Sequence, residues 1–124
     1  FLITESNAYS SVCHIGTEGG ADTIGNLSFY GNGTSMFYLG GKFKMISATW
    51  KVENPNTHYR TKAKVQIWGN GKLIYDGPLQ LKGLPVIQVT TDIANVQELS
   101  FKVIYQQEES DWGTVRIENI KLMP

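Results

Sequence analysis

Apolar and polar residues alternate most clearly across residues 64–75, where two arms rich in β-formers flank Gly69-Asn70-Gly71. Asn-Gly between alternating apolar residues is a strong short-range hairpin signal. The pattern also bears on register. A two-residue loop at Asn70-Gly71 sets Trp68 opposite Leu73 and Ile67 opposite Ile74, with apolar side chains on both faces. A three-residue loop, with Gly71 as a left-handed bulge, sets Ile67 against Leu73 and Val65 against Tyr75. One face is then wholly apolar, and the other carries Lys64, Gln66, Trp68, Lys72 and Ile74. Because a one-residue slip sends every side chain to the wrong face, the three-residue loop is the expected one.

The same reading extends along the chain. Leu99, Phe101, Val103 and Tyr105 alternate with Ser100, Lys102 and Ile104, a period-2 strand. Residues 42–51 read as a strand whose apolar set begins on odd positions (Phe43, Met45) and moves to even ones (Ile46, Ala48, Trp50). That switch predicts a bulge near Met45. A comparable switch over 114–122, from Val115 and Ile117 to Ile120 and Leu122, predicts a second bulge. Residues 86–90 form a further strand, with Asp92-Ile93-Ala94-Asn95 as a turn or a single helical turn. Toward the N-terminus, 4–7 and 17–22 read as loops and 11–15, 27–30 and 35–39 as short strands. Gly31-Asn32-Gly33 and Gly40-Gly41 read as turns, and polar loops occupy 53–60 and 106–111. About eight strands without helical periodicity imply an all-β, antiparallel β-sandwich, and a closed barrel would share the same pattern.

The 124 residues are enough to bury a core without disulfide or metal staples, and 1–124 reads as one domain. Phe1-Leu2-Ile3 has neither the charged start nor the cleavage site of a signal peptide, so the chain is expected to be part of something longer. Eleven basic residues, interspersed, balance eleven acidic ones, which leaves no electrostatic footprint for nucleic acid. No apolar run approaches the ~20 residues of a membrane helix. Neither nucleic acid nor membrane is therefore an expected partner. A single cysteine, Cys13, excludes an internal disulfide.

Little in the chain points to catalysis. His14 follows Cys13, and neighbours in a strand point to opposite faces, so these two cannot form a nucleophilic pair. Glu108, Glu109 and Asp111 share one loop and Glu53 lies in another, but no apolar pocket surrounds them to raise a carboxyl pKa for glycoside hydrolysis. An enzyme is not expected. Carboxylates and loop carbonyls are natural calcium ligands, yet no Asp-rich loop of recognised spacing occurs, and no cofactor is expected. Gly31-Asn32-Gly33 and Gly69-Asn70-Gly71 precede strands rather than helices, so neither cradles phosphate.

The aromatic residues carry more. Tyr75 and Tyr105 belong to core faces by phase, whereas Trp68 falls on the hairpin's polar face. Trp112 ends the acidic loop beside Asp111. A flat ring covers the C–H face of a neutral sugar while carboxylates and amides read its hydroxyls. As the first residue of a strand, the same ring would simply fill core. The other polar loop offers Glu53, His58 and Tyr59.

Three blocks of this sequence, in order, resemble one family. Tyr38-Leu-Gly-Gly-Lys-Phe-Lys-Met-Ile-Ser-Ala-Thr49 resembles a "Tyr-x-Leu-x-Gly-x-Tyr" strand pair. Val65-Gln-Ile-Trp-Gly-Asn-Gly-Lys-Leu-Ile-Tyr75 resembles a hairpin typified by "Val-Tyr-Gly-Asp-Gly-Lys-x-Leu". Val96-Gln-Glu-Leu-Ser-Phe-Lys-Val103, followed by Asp111-Trp112, resembles a "Val-x-x-Leu-x-Leu-x-Val" strand leading to "His-Ala-Asp-Trp". These are marks of the NPCBM family, novel putative carbohydrate-binding modules related to family-51 carbohydrate-binding modules. The resemblance covers about residues 27 to 122. It implies a jelly-roll-like sandwich that binds carbohydrate without catalysis, appended to secreted bacterial glycoside hydrolases and other surface proteins, with galactose-containing glycans as ligands. Glu109 fills the motif's histidine position, and Tyr30-Gly-Asn-Gly-Thr-Ser-Met36 stands where members show "Gly-Leu-Gly-Thr-His-Ala".

The expected function is thus a non-catalytic, extracellular module that recognises a neutral hexose-containing glycan, such as a galactoside or cell-wall polysaccharide. Tyr30, Asn32, Glu53, His58, Tyr59, Gln107, Glu109, Asp111 and Trp112 are the expected ligand-binding residues, on loops at one end of the sandwich. The parent would be an enzyme, a cell-wall protein or a phage tail adhesin, and a multivalent assembly would supply avidity. The alternative is a structural or protein-interaction β-sandwich that kept the fold and lost the sugar site.

Overall fold

Long runs of alternating burial dominate the chain, and each makes a strand. The computed structural model describes residues 2–10, 17–18, 21–53, 62–81, 85–106 and 114–124. Among them are ten strands and no helix: β1 (Leu2–Ser10), β2 (Thr17–Glu18), β3 (Ala21–Tyr38), β4 (Met45–Glu53), β5 (Lys62–Gly69), β6 (Lys72–Asp76), β7 (Gln80–Leu81), β8 (Ile87–Asp92), β9 (Glu98–Gln106) and β10 (Thr114–Met123). Two of these are two residues long, which leaves the eight substantial strands expected. Every pairing is antiparallel.

β3 builds both layers of the sandwich. Its first half pairs with β10, from Asp22↔Leu122 to Phe29↔Val115, and β10 continues to β4 and β8. Its second half pairs with β9, from Gly33↔Val103 to Tyr38↔Glu98, and β9 continues to β5 and β6. β1 follows β3 through the same bend. The hydrogen-bonded path runs from β6 at one edge to β8 at the other, so the sheet is open and folded over on itself rather than closed as a barrel. Gly31-Asn32-Gly33 is therefore not a turn between two short strands. It is the corner of one 18-residue strand, where glycine tolerates the sharp bend. Residues 4–7, expected as loop, are part of β1.

The facing sides form one core. The first layer supplies Leu27, Phe29, Ile46, Ala48, Trp50, Val52, Ile117 and Leu122, and the second supplies Phe37, Val65, Ile67, Leu99, Phe101 and Val103. Phe37 and Phe101 meet edge to face with ring centroids 6.0 Å apart. The layers are also joined by polar groups. The Trp50 indole N–H donates to the Tyr75 hydroxyl at 3.1 Å, and the Tyr105 hydroxyl donates to the Phe29 carbonyl at 2.7 Å. Each lets a large aromatic body stay buried without stranding its polar atom.

The central hairpin has the other register. Trp68 pairs with Leu73 and Gly69 with Lys72, so the loop is the two residues Asn70-Gly71. Both have positive φ, 51° and 78°, as a type I′ turn requires, and that turn matches the strands' twist. The bulge sits in β6 instead: the register steps between Trp68↔Leu73 and Ile67↔Tyr75, leaving Ile74 as the extra residue. Ile74 and Tyr75 consequently both pack on the core, while Leu73 stays exposed beside Trp68. The apolar pattern is satisfied by a bulge at Ile74, three residues later than the expected one at Gly71.

The bulge expected near Met45 is also absent. β4 pairs with β8 without a break from Met45 to Trp50, and the phase change falls before the strand, where buried Phe43 enters the core. The bulge expected in β10 is present, with breaks against both neighbours around Asn119, whose φ is 53°.

Two core positions yield stability predictions. A Cβ on Gly77 would lie 2.8 Å from the Trp50 ring and 2.8 Å from the Val65 carbonyl oxygen. Gly77→Ala is expected to cost ~1–3 kcal/mol in urea unfolding, the usual range for overpacking. Ser35 is fully buried and its hydroxyl has no hydrogen-bond partner among the described residues. Ser35→Ala should therefore be neutral or stabilising in the same measurement, because it removes an unsatisfied polar group.

Candidate functional site

The strand ends sort the connections into two groups. At one end Glu53 pairs with Thr114, Lys62 pairs with Gln106, and β3 turns its corner after Phe29, itself paired with Val115. The segments 54–61 and 107–113 are thus rooted side by side, next to the corner that carries Tyr30 and Asn32. At the other end lie the turns at Gly40-Gly41 and Asn70-Gly71 and the connector from β8 to β9.

Those far-end connections are tied to one another. The Asn70 amide donates to the Asn95 carbonyl at 3.1 Å, and its oxygen accepts from the Gln97 and Glu98 N–H groups at 2.8 and 3.1 Å. Gln97 and Val96 carbonyls accept from Leu39 and Gly41. With so many backbone groups satisfied locally, this end is a fastening.

At the loop end, Asn32 holds the corner. Its side-chain oxygen accepts from the Tyr105 N–H at 2.6 Å, while the hydroxyl of the same tyrosine reaches Phe29. Tyr30 lies in β3 between these two ties. Glu53 has one carboxylate oxygen 3.1 Å from the Lys51 ammonium and the other 2.7 Å from Arg116. Lys51 also reaches Glu118 at 3.4 Å, and its pKa is raised above 10.5 first by the hydrogen bond to Glu53 and then by that to Glu118. Asn32 and Glu53 thus both serve the framework from which the loops spring. His58, Tyr59, Gln107, Glu109, Asp111 and Trp112 lie outside the described residues, as does Glu108, the remaining carboxylate of the loop weighed for calcium. Among the described residues no group of three or more His, Cys, Asp or Glu could hold a metal.

The outer face of the second layer carries a polar relay that the sequence pattern does not reveal. Trp68 donates its indole N–H to Gln66 at 3.1 Å, and Gln66 donates to Asp76 at 3.0 Å. The Lys64 ammonium is 3.1 Å from the same Asp76 oxygen, and the Lys102 ammonium lies 4.4 Å from the centre of the Trp68 ring. Trp68 is therefore covered by a cation rather than offered as a bare platform. The hydrogen bond from Gln66, followed by that from Lys64, lowers the Asp76 pKa below its ordinary 3.8.

Comparison with known proteins supplies the fold's relatives. No protein-family model matches the chain, and no curated protein matches it. Among solved structures it is similar to the M60 catalytic domain with the CBM51-1 and CBM51-2 domains of Clostridium perfringens ZmpB, at TM-score 0.71 and 16% identity, over 82% of this chain and 11% of that one. It is similar to the CBM51 of Clostridium perfringens GH95 in complex with methyl-galactose, at TM-score 0.70 and 10% identity, over 82% of this chain and 72% of that one. It is also similar to the tandem CBM51 modules of Sp3GH98, a family 98 glycoside hydrolase from Streptococcus pneumoniae, at TM-score 0.66 and 14% identity, over 82% of this chain and 32% of that one. The chain thus shares the fold of CBM51 modules, and it spans about a tenth of the ZmpB chain.

Two outcomes test this geometry. Asn32→Ala removes the acceptor that the Tyr105 N–H uses at the corner, and a loss of ~1–3 kcal/mol is expected in chemical unfolding. The depressed Asp76 pKa contributes stability that is fully present above the ordinary carboxylate value and is lost as pH falls through the lowered one. An NMR titration of the Asp76 carboxyl should place its midpoint below 3.8, and Gln66→Ala should move that midpoint upward.

Proposed function

We propose that this chain is a non-catalytic carbohydrate-binding module of the NPCBM type that holds a parent protein against cell-surface or extracellular glycans. The observation that carries the reading is the convergence, at one end of a CBM51-like sandwich, of the roots of 54–61 and 107–113 with the Tyr30–Asn32 corner. These are the segments whose residues offer a sugar an aromatic ring beside amides and carboxylates. Two similar modules carry methyl-galactose and GlcNAc, both neutral hexose derivatives. This chain's balanced charge suits such a ligand.

In this reading Trp112 stacks on the sugar, and Asp111, Glu109, Gln107, His58 and Tyr59 supply the remaining contacts. Tyr30 borders the site. Asn32 and Glu53, engaged as they are, hold its base. Leu2 and Met123 sit at the opposite end, paired with Phe37 and Met45. The location is extracellular, and the parent is a glycoside hydrolase, a cell-wall protein or a phage adhesin. The engagement of Asn32 and Glu53 by the fold itself favours one second reading, a structural β-sandwich whose loops have no ligand.

A glycan array on the purified domain decides between them. Neutral hexose-containing glycans should be retained, and Trp112→Ala should weaken the best of them at least about tenfold, or ~1.4 kcal/mol. Unchanged binding by that variant would remove Trp112 from the site, and silence across the array would leave the structural reading. Turnover of any bound glycan would overturn the non-catalytic assignment.

A further inference from the structure

Five large apolar side chains are exposed among the described residues: Tyr38, Leu73, Leu79, Val86 and Ile104. Two of them, Leu79 (48% exposed) and Ile104 (39%), line one open groove of about 490 Å³ together with Lys64, Gly77, Tyr105 and Gln106. Gln106 ends β9 where segment 107–113 begins, and its partner Lys62 begins β5 where 54–61 ends. The groove therefore opens toward the loop end.

Its chemistry is selective. At Gly77 the Trp50 ring and the Val65 carbonyl fill the space that a side chain would take. Backbone alone forms the groove there. Leu79 and Ile104 offer apolar surface, and the Gln106 amide and Lys64 ammonium offer hydrogen-bond donors beside it. The one cation of the lining is matched by Asp76 at 3.1 Å, so the groove has no charge excess to attract an anion. Apolar surface bordered by hydrogen-bonding groups, without net charge, is complementary to a pyranose ring, with its C–H faces and its rim of hydroxyls.

We propose that this groove is a second subsite, which takes the inner residues of a neutral oligosaccharide whose terminal residue occupies the loop end. The ligand class is thereby narrowed from a monosaccharide to a chain of at least two or three sugars. The proposal rests on the carbohydrate-binding reading above and adds a length requirement to it. Leu79 and Ile104 carry the stacking surface. Lys64, oriented by Asp76, and Gln106 read hydroxyls.

Calorimetric titration of the full chain tests it, with galactose-, GlcNAc-, glucose- and mannose-terminated neutral glycans, each as a monosaccharide and as a tetrasaccharide. The wild type should bind the preferred tetrasaccharide roughly tenfold tighter than its terminal monosaccharide. The exposed double substitution Leu79→Ser with Ile104→Ser should erase that advantage and leave monosaccharide affinity within about twofold. Gln106→Ala should reduce the advantage without touching either apolar residue. Equal affinity for both lengths in the wild type, or a length advantage that survives the double substitution, overturns the subsite while leaving carbohydrate binding intact. Failure to bind any of these sugars overturns both readings together.

Discussion

The fold depends on making one strand turn a corner without losing its hydrogen bonds. β3 belongs to both layers, so any slippage at its bend would shift β10 against β9 and pull the two halves of the core out of phase. Tyr105 prevents this from both of its ends. Its N–H is held by the Asn32 side chain and its hydroxyl by the Phe29 carbonyl, which spans the bend from β9 to the first half of β3. Both bonds are short and at least partly buried, where a hydrogen bond is strongest and its loss most costly. The core pairs on either side, Phe29 with Val115 and Val103 with Gly33, inherit their register from that clasp.

The consequence is a division between the two ends. At the far end, short connections with left-handed residues at Gly40, Gly41, Asn70 and Asn95 satisfy one another's backbone groups. At the corner end, the two longer polar segments, 54–61 and 107–113, leave from paired strands. Binding sites work best when a rigid framework presents adaptable groups. The ion pairs of Glu53 with Lys51 and Arg116 belong to the framework half of that arrangement. They tie β4 to β10 at the point where segment 54–61 begins.

How much of this could be read from the chain follows from what alternation reports. Period-2 patterning names the face of a strand, so Leu99, Phe101, Val103 and Tyr105 were legible as core, and so was the bulge between Ile117 and Ile120. Alternation does not tell a corner from a turn. Gly31-Asn32-Gly33 has turn chemistry, but the residue that holds its conformation, Tyr105, is distant in sequence. It also leaves a bulge free to move along a strand. Loop length and bulge position trade against each other in the hairpin, and the twist of a type I′ turn, together with the Asn70 contacts to the β8–β9 connector, settles the trade. Of the candidate site, the polar character of the two loops was legible. That Asn32 and Glu53 are taken up by the fold was not, because Tyr105 and Arg116 lie more than sixty residues further on.

The balance of charges bears on what such a surface can hold. Lys51, Lys64 and Arg116 each have a carboxylate within 3.4 Å, and Lys102 sits over an indole ring. These exposed pairs add little stability. They do engage four of the cations through which phosphate and carboxylate ligands are ordinarily gripped. Where a charge is neutralised in place, as at the Lys64–Asp76 pair, recognition rests on shape, apolar contact and hydrogen bonding, which are weak per contact in water. Affinity then has to come from length or from number. In the proposed reading, a groove running away from the loop end supplies length within one domain, and repetition of the domain in a parent assembly supplies number.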